Sequence, residues 1–117
     1  MTNTLYGISN CDTMKKARKW LDDHDIDYVF HDYRKDGLEP ARLEGWCREL
    51  GVDALLNRRG TTWRKLPESV KENLTDAAAI KLMLENPAMI KRPMLDTGRK
   101  RTVGFSADQY AVLFTNA

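Results

Sequence analysis

The chain has 117 residues, 42% of them hydrophobic and 31% charged, with 19 Lys and Arg against 17 Asp and Glu for a formal net charge of +2. A chain of this size can bury one continuous core without a staple of disulfides or metal, and so balanced a charge excludes an electrostatically driven nucleic-acid binder. The apolar runs fall far short of the ~20 residues a membrane span needs, and the N-terminus lacks a basic-then-apolar signal pattern, so a cytoplasmic protein with no membrane attachment is expected. Two cysteines, Cys11 and Cys47, are too few for a secreted disulfide framework, and a reducing compartment would keep them as free thiols.

No repeat, low-complexity stretch or Pro/Gly/Ser-rich linker divides the chain, which reads as one domain over residues 1–117. The run Leu5-Tyr6-Gly7-Ile8 predicts a short strand ended by Ser9-Asn10, and Ala17, Trp20 and Leu21 follow at helical spacing. Tyr28 to Tyr33 is rich in aromatic and β-branched residues and predicts a second strand, closed by Asp36-Gly37. A β-α-β unit results, which favours a parallel pair with a right-handed crossover.

From Pro40 to Leu50 the positions Leu43, Trp46, Cys47 and Leu50 form the apolar stripe of a packed helix. Leu66-Pro67-Glu68 predicts a turn into a short helix, and Thr75-Asp76 caps another whose Ala77, Ile80 and Leu84 are expected to face inward. Asn86-Pro87 marks one more helical turn. Arg92 to Asp96 then turns extended, and Thr97-Gly98 reverses the chain into Lys100 to Gly104, a hairpin. Ser106 and Gln109 form a capping box for a last helix with Tyr110, Leu113 and Phe114 inward. The order is β-α-β, helices, β-β-α.

Cys11 stands where the first strand gives way to a helix, so its sulfur is expected near unpaired helix N-terminal amides that favour an anion. A thiolate there has a lowered pKa and is the nucleophilic form. Lys15 and Lys16 would add positive potential, and Asp12 opposes it. The same position also suits an ordinary small residue buried at a turn, and spacing by itself leaves both readings open. Cys47, between Trp46 and Arg48 on the helical stripe, reads as core. Position 14 is Met, so there is no Cys-x-x-Cys pair, and redox chemistry at Cys11 needs a second thiol from outside, such as glutathione, or from Cys47 by a larger movement.

His24 and His31 are far apart without ligand-spaced partners, so no metal site is expected, and no Gly-rich nucleotide loop is present. Four short basic clusters, Arg58-Arg59, Arg64-Lys65, Lys91-Arg92 and Arg99 to Arg101, read first as solvated surface. Arg59 and Arg92, each beside a Gly- or Pro-containing turn, could also present a guanidinium fork to a carboxylate or oxyanion. Pro93 would fix a bend at the start of a strand, where a cis peptide is a recurring device.

Four segments carry a family resemblance: Tyr6 to Thr13, His31 to Leu38, Asn57 to Leu66, and Ile90 to Leu95. In this order they resemble the arsenate reductase C (ArsC/Spx) family, most closely its YffB-like branch, over nearly the whole chain. The resemblance implies an α/β, thioredoxin-like fold with a helical insertion at about residues 39–89. It implies Cys11 as the active-site nucleophile, Pro93 as the cis-proline facing it, Arg92 as the arginine of the family's Arg-Pro motif, and Arg59 as its mid-chain arginine.

Arsenate reductases of this type look to have a histidine near the position of Gly7, a serine at the position of Met14 and a further arginine near Gly104 or Phe105, and this chain departs from each. An oxyanion left without those groups is poorly neutralised. The Spx-like branch usually has Cys-x-x-Cys, which is absent here.

The leading expectation is a glutathione-dependent monothiol reductase in which Cys11 attacks an oxidised thiol substrate. Lys15, Arg59, Arg92 and Pro93 would bind substrate, with glutathione as co-substrate and no metal or nucleotide. The alternatives are an arsenate reductase, or a non-enzymatic regulator that binds a protein such as RNA polymerase.

Overall fold

A computed structural model describes residues 2–9 and 11–115. Asn10, placed by the sequence in the turn before Cys11, lies outside the described residues. The chain divides into two compact units, one made of the residues up to Asp36 together with those from Arg92 on, the other running from Gly37 to Lys91.

The first unit is built on a four-stranded sheet. Strand β1 (Thr4–Gly7) leads into helix α1 (Asp12–Asp23), strand β2 (Val29–Asp32) and the single turn α2 (Tyr33–Asp36). The chain returns to this unit in β3 (Met94–Asp96), β4 (Arg101–Val103) and α8 (Ala107–Thr115). The strand order is β2-β1-β3-β4. β1 and β2 are parallel, with Leu5 opposite Phe30, while β3 runs antiparallel to both β1 and β4, with Leu5 opposite Leu95 and Leu95 opposite Thr102.

One face of the sheet and two helices share a core. Leu5, Met14, Ala17, Leu21, Leu95 and Tyr110 are fully buried together, with Trp20, Phe30, Phe105, Leu113 and Phe114 packed around them. Burying each large side chain is worth roughly 1.5–3 kcal/mol, the main force holding α1 and α8 to the sheet. Tyr110 anchors α8, meeting Trp20 and Phe105 edge-on at centroid distances of 5.6 and 4.8 Å. The Ser106 cap forms as expected, Oγ accepting from the Gln109 N–H at 3.0 Å.

The second strand stops earlier than its aromatic content predicts. Asp32 is buried and its Oδ1 accepts from the Arg34 N–H at 2.8 Å, while its own N–H donates to Asp36 Oδ2 at 3.1 Å. These side-chain bonds compete with the ladder, so Tyr33 opens a helical turn.

The second unit is helical: α3 (Pro40–Leu50), α4 (Val52–Leu55), α5 (Thr61–Arg64), α6 (Glu68–Glu72), α7 (Asp76–Glu85) and a 3-10 turn (Pro87–Met89). Its buried residues include Leu43, Trp46, Cys47, Leu55, Leu56, Ala79, Met83, Met89 and Ile90. The Thr75 cap is present, its hydroxyl accepting from Ala78 N–H at 3.1 Å. The inward face of α7 is not the expected one. Ala79 and Met83 are buried, Ile80 and Leu84 are half-buried, and Ala77 is exposed. Helix α7 is apolar on most of its circumference, so periodicity does not single out the face that tertiary contacts select. The short helices α4 and α5 were not legible from periodicity, since a single turn is too short to show a period.

Gly7, the last residue of β1, is required by a close approach. A Cβ there would collide with Met14 Sδ and lie 2.7 Å from Met14 Cε, and Met14 is fully buried, so its side chain can give way only by shifting within the core. Gly7→Ala is therefore expected to lower unfolding free energy by about 1–3 kcal/mol, the usual cost of overpacking. In urea denaturation the Gly7→Ala, Met14→Ala double variant should be less destabilised than the sum of the two singles, because the cavity left at residue 14 accepts the added methyl.

Candidate active site

Cys11 is the N-cap of α1, with extended backbone dihedrals of φ −138° and ψ 128°, and its carbonyl accepts from the Lys15 N–H at 3.0 Å. The Met14 and Thr13 amides of the first turn act on the sulfur. Burial of the half-buried side chain is the largest influence on its ionisation and raises the pKa. It is outweighed by the Met14 amide, the hydrogen-bonding Arg92 guanidinium, the Thr13 amide and the Arg92 positive charge, so the thiol ionises below its ordinary range. A helix-terminal thiolate with a cationic donor beside it is the arrangement of an activated cysteine.

Arg92 reaches Cys11 from the start of β3. The Arg92-Pro93 peptide is cis, Pro93 is buried, and its carbonyl accepts from the Gly104 N–H at 2.8 Å, tying this corner to the loop after β4. Gly104 has φ 85°, a left-handed conformation that disfavours a side chain.

Lys15 is exposed one turn into α1. The groups that hold the Cys11 thiol down are the two amides and Arg92, so the sulfur does not depend on a lysine curling back. Arg59 belongs to the other unit, where it lines a cavity with Asp53, Leu56, Arg58 and Lys91. His31 is occupied with aromatic packing, 4.9 Å from the Tyr6 ring and 6.3 Å from that of Tyr33.

Tyr33 is a neighbour of this site that spacing along the chain did not reveal. It is 3% exposed, and among the described residues its hydroxyl has no hydrogen-bond partner. Burial pushes its phenol far up, Tyr6 adds to the shift, and the Arg92 charge opposes it, so Tyr33 remains a neutral donor within the field of Arg92. The aromatic enrichment of residues 28–33 was the only sequence signal, and it reads as strand propensity.

Cys47 contrasts with Cys11 in the charges around its sulfur. It is buried on α3, and its thiol is pushed up by burial and by the carboxylates of Asp76 and Glu44. Among the described residues no group of three His, Cys, Asp or Glu is placed to hold a metal ion, and no helix is long and apolar enough to cross a membrane.

The model of the ArsC family matches residues 6–113. An uncharacterised protein of Haemophilus influenzae is 47% identical over 111 residues, covering 95% of this chain and 97% of its own. The global transcriptional regulator Spx of Bacillus subtilis is 28% identical over 108 residues, covering 91% of this chain and 82% of the regulator. Among solved structures, a protein named YFFB superposes with a TM-score of 0.90 at 54% identity, covering 95% of this chain and 97% of that one. An arsenate reductase (ArsC) related protein from Brucella melitensis superposes with a TM-score of 0.81 at 53% identity, covering 98% and 96%. The fold is thus thioredoxin-like, with the four-stranded mixed sheet described above.

The site geometry sets an expected pH profile for alkylation by iodoacetamide. Cys11 should reach half its maximal rate at a lower pH than a free thiol, and Arg92→Met should move that midpoint upward, since it removes both a donor and a positive charge from the thiolate. Lys15→Met should leave the midpoint in place. Cys47 should alkylate slowly at neutral pH in all three proteins.

Proposed function

The chain belongs to the ArsC family, and we propose that within it the protein is a glutathione-dependent monothiol reductase acting through Cys11. The observation that carries this reading is the pairing of a lowered-pKa cysteine at a helix N-terminus with Arg92, where the third residue beyond the cysteine is a buried Met14 rather than a second thiol. The Cys11 thiolate attacks one sulfur of a disulfide that carries a glutathionyl group. A Cys11-glutathione bond forms, the substrate disulfide breaks, and the substrate sulfur leaves as a thiolate that takes a proton from water. A second glutathione thiolate then attacks the mixed disulfide, giving oxidised glutathione and regenerating the Cys11 thiolate. One reduced glutathione is consumed for each substrate mixed disulfide, its sulfur leaving as oxidised glutathione together with the transferred glutathionyl group.

Arg92 stabilises the sulfur anion as reactant and as leaving group in the second step. The backbone on the Arg92 side of Pro93 would pair with the bound peptide, and Lys15 would hold a substrate carboxylate. The cytoplasm, with its reduced glutathione pool, is the compartment this chemistry needs. Arsenate reduction is the weaker assignment, because Gly7 and Met14 pack against one another where an oxyanion would need polar groups. A role in binding a protein partner is supported by the likeness to Spx, which is a transcriptional regulator.

Intact-protein mass spectrometry after brief exposure to oxidised glutathione tests the assignment. One adduct of a single glutathionyl group is expected at neutral pH, lost in Cys11→Ser, kept in Cys47→Ser and removed by added reduced glutathione. No adduct, or one formed only at high pH, would sink the reductase reading and favour the partner-binding one.

A further inference from the structure

In the helical unit α3 packs against α7, and residues of both line a cavity of about 410 Å³. Its walls follow from the local backbone. The Gly51 N–H donates to the Cys47 carbonyl at 2.9 Å and closes α3, and Gly51, at φ 93°, turns the chain at once into α4, which brings Val52 to the cavity. The Thr75 cap starts α7, so Asp76 and Ala77 stand in its first turn, with Ile80 following one turn on. Ala77 and Ile80 belong to the α7 face that periodicity sends inward. They line this cavity, while Ala79 and Met83 take the fully buried positions.

An apolar surface of Val52, Ala77 and Ile80 is thus left against open space. Cys47 joins it from α3. The residue is 8% exposed, and among the described residues its thiol has no hydrogen-bond partner. The charged lining is Glu44, Arg48 and Asp76, all exposed, and among the described residues no ion pair joins Arg48 to either acid. Arg48 stands in the last turn of α3 and Asp76 in the first turn of α7, where the helix dipoles answer part of each charge. Glu44, in the middle of α3, has no such compensation. Both carboxylates act on the Cys47 sulfur and hold its thiol up, so the field at the buried end of the cavity is negative. An apolar wall beside unanswered carboxylates complements a cation with a hydrocarbon body. The hydrocarbon leaves water while the charged head stays among exposed acids, which avoids the cost of burying a charge.

We propose that this cavity binds a small organic cation of the alkylammonium class, with Glu44 as the main charged contact, Asp76 as the second, and Val52, Ala77, Ile80 and Cys47 as the apolar wall. Every contact belongs to the helical unit, so the site stands whether or not Cys11 acts as a reductase.

The test titrates n-hexylammonium chloride into the intact protein at neutral pH and follows amide NMR shifts, with n-hexanol, sodium hexanoate and ammonium chloride as comparisons at matched ionic strength. Saturable shifts at Glu44, Cys47, Ala77 and Ile80 are expected, with affinity falling about fivefold in Glu44→Gln and about twofold in Asp76→Asn, the range of a partly solvated ion pair. Ala77→Phe, which fills the cavity from an exposed position, should remove saturation and leave the rest of the amide spectrum in place. Hexanol bound as tightly as the ammonium would reduce the site to an apolar cleft without charge recognition. Hexanoate bound as tightly would give it to Arg48, and an equal response to ammonium chloride would leave the hydrocarbon wall without a part. Each of these results overturns the proposal, as does full affinity in the Glu44→Gln, Asp76→Asn double variant.

Discussion

The antiparallel pairing of β1 with β3 is the constraint on which the site depends. In an antiparallel pair the end of one strand lies beside the start of the other. Tyr6, near the end of β1, is opposite Met94, the first residue of β3. The chain leaving β1 runs into Cys11, and the chain entering β3 has just passed Arg92 and Pro93. Residues some 80 positions apart are thereby brought to one edge, and the Arg92 guanidinium meets the Cys11 sulfur. The core of Leu5, Leu95, Met14 and Tyr110 holds that register, because a slip by one residue would turn Leu5 and Leu95 out of it.

The packing of Gly7 against Met14 shapes the chemistry from below. Met14 does two separate things: its backbone amide faces the Cys11 sulfur, and its side chain fills the space that Gly7 leaves open. A thioether offers neither a nucleophile nor a strong hydrogen bond. Position 14, three residues beyond Cys11, is thus spent on core packing, and no second thiol stands there.

The two cysteines show how the same side chain takes opposite character from its surroundings. Both are withdrawn from water, and burial by itself raises the pKa of each. Cys11 has amide donors and a guanidinium to reverse that effect, whereas Cys47 has the carboxylates of Asp76 and Glu44 to reinforce it. Net charge at the sulfur, more than depth, separates the lowered thiol from the raised one.

Much of this molecule was legible in one dimension. The β-α-β start, the α3 stripe, the Thr75 and Ser106 caps and the β3-β4 hairpin follow from local periods and turn residues, because those signals arise within a few positions of one another. Cys11 could be placed at a helix N-terminus for the same reason. What local pattern could not supply was the inward face of α7, the early end of β2 at Asp32, the turns α4 and α5, and the proximity of Tyr33 to Arg92. Each is decided by contacts between distant segments. An apolar helix such as α7 has several faces that could be buried, and a phenol such as Tyr33 reads as strand former until its neighbours are known. Sequence determined that Cys11 stands at a helix N-terminus, and tertiary structure decided which charge lowers its pKa, because a pKa depends on groups close in space, whatever their distance along the chain.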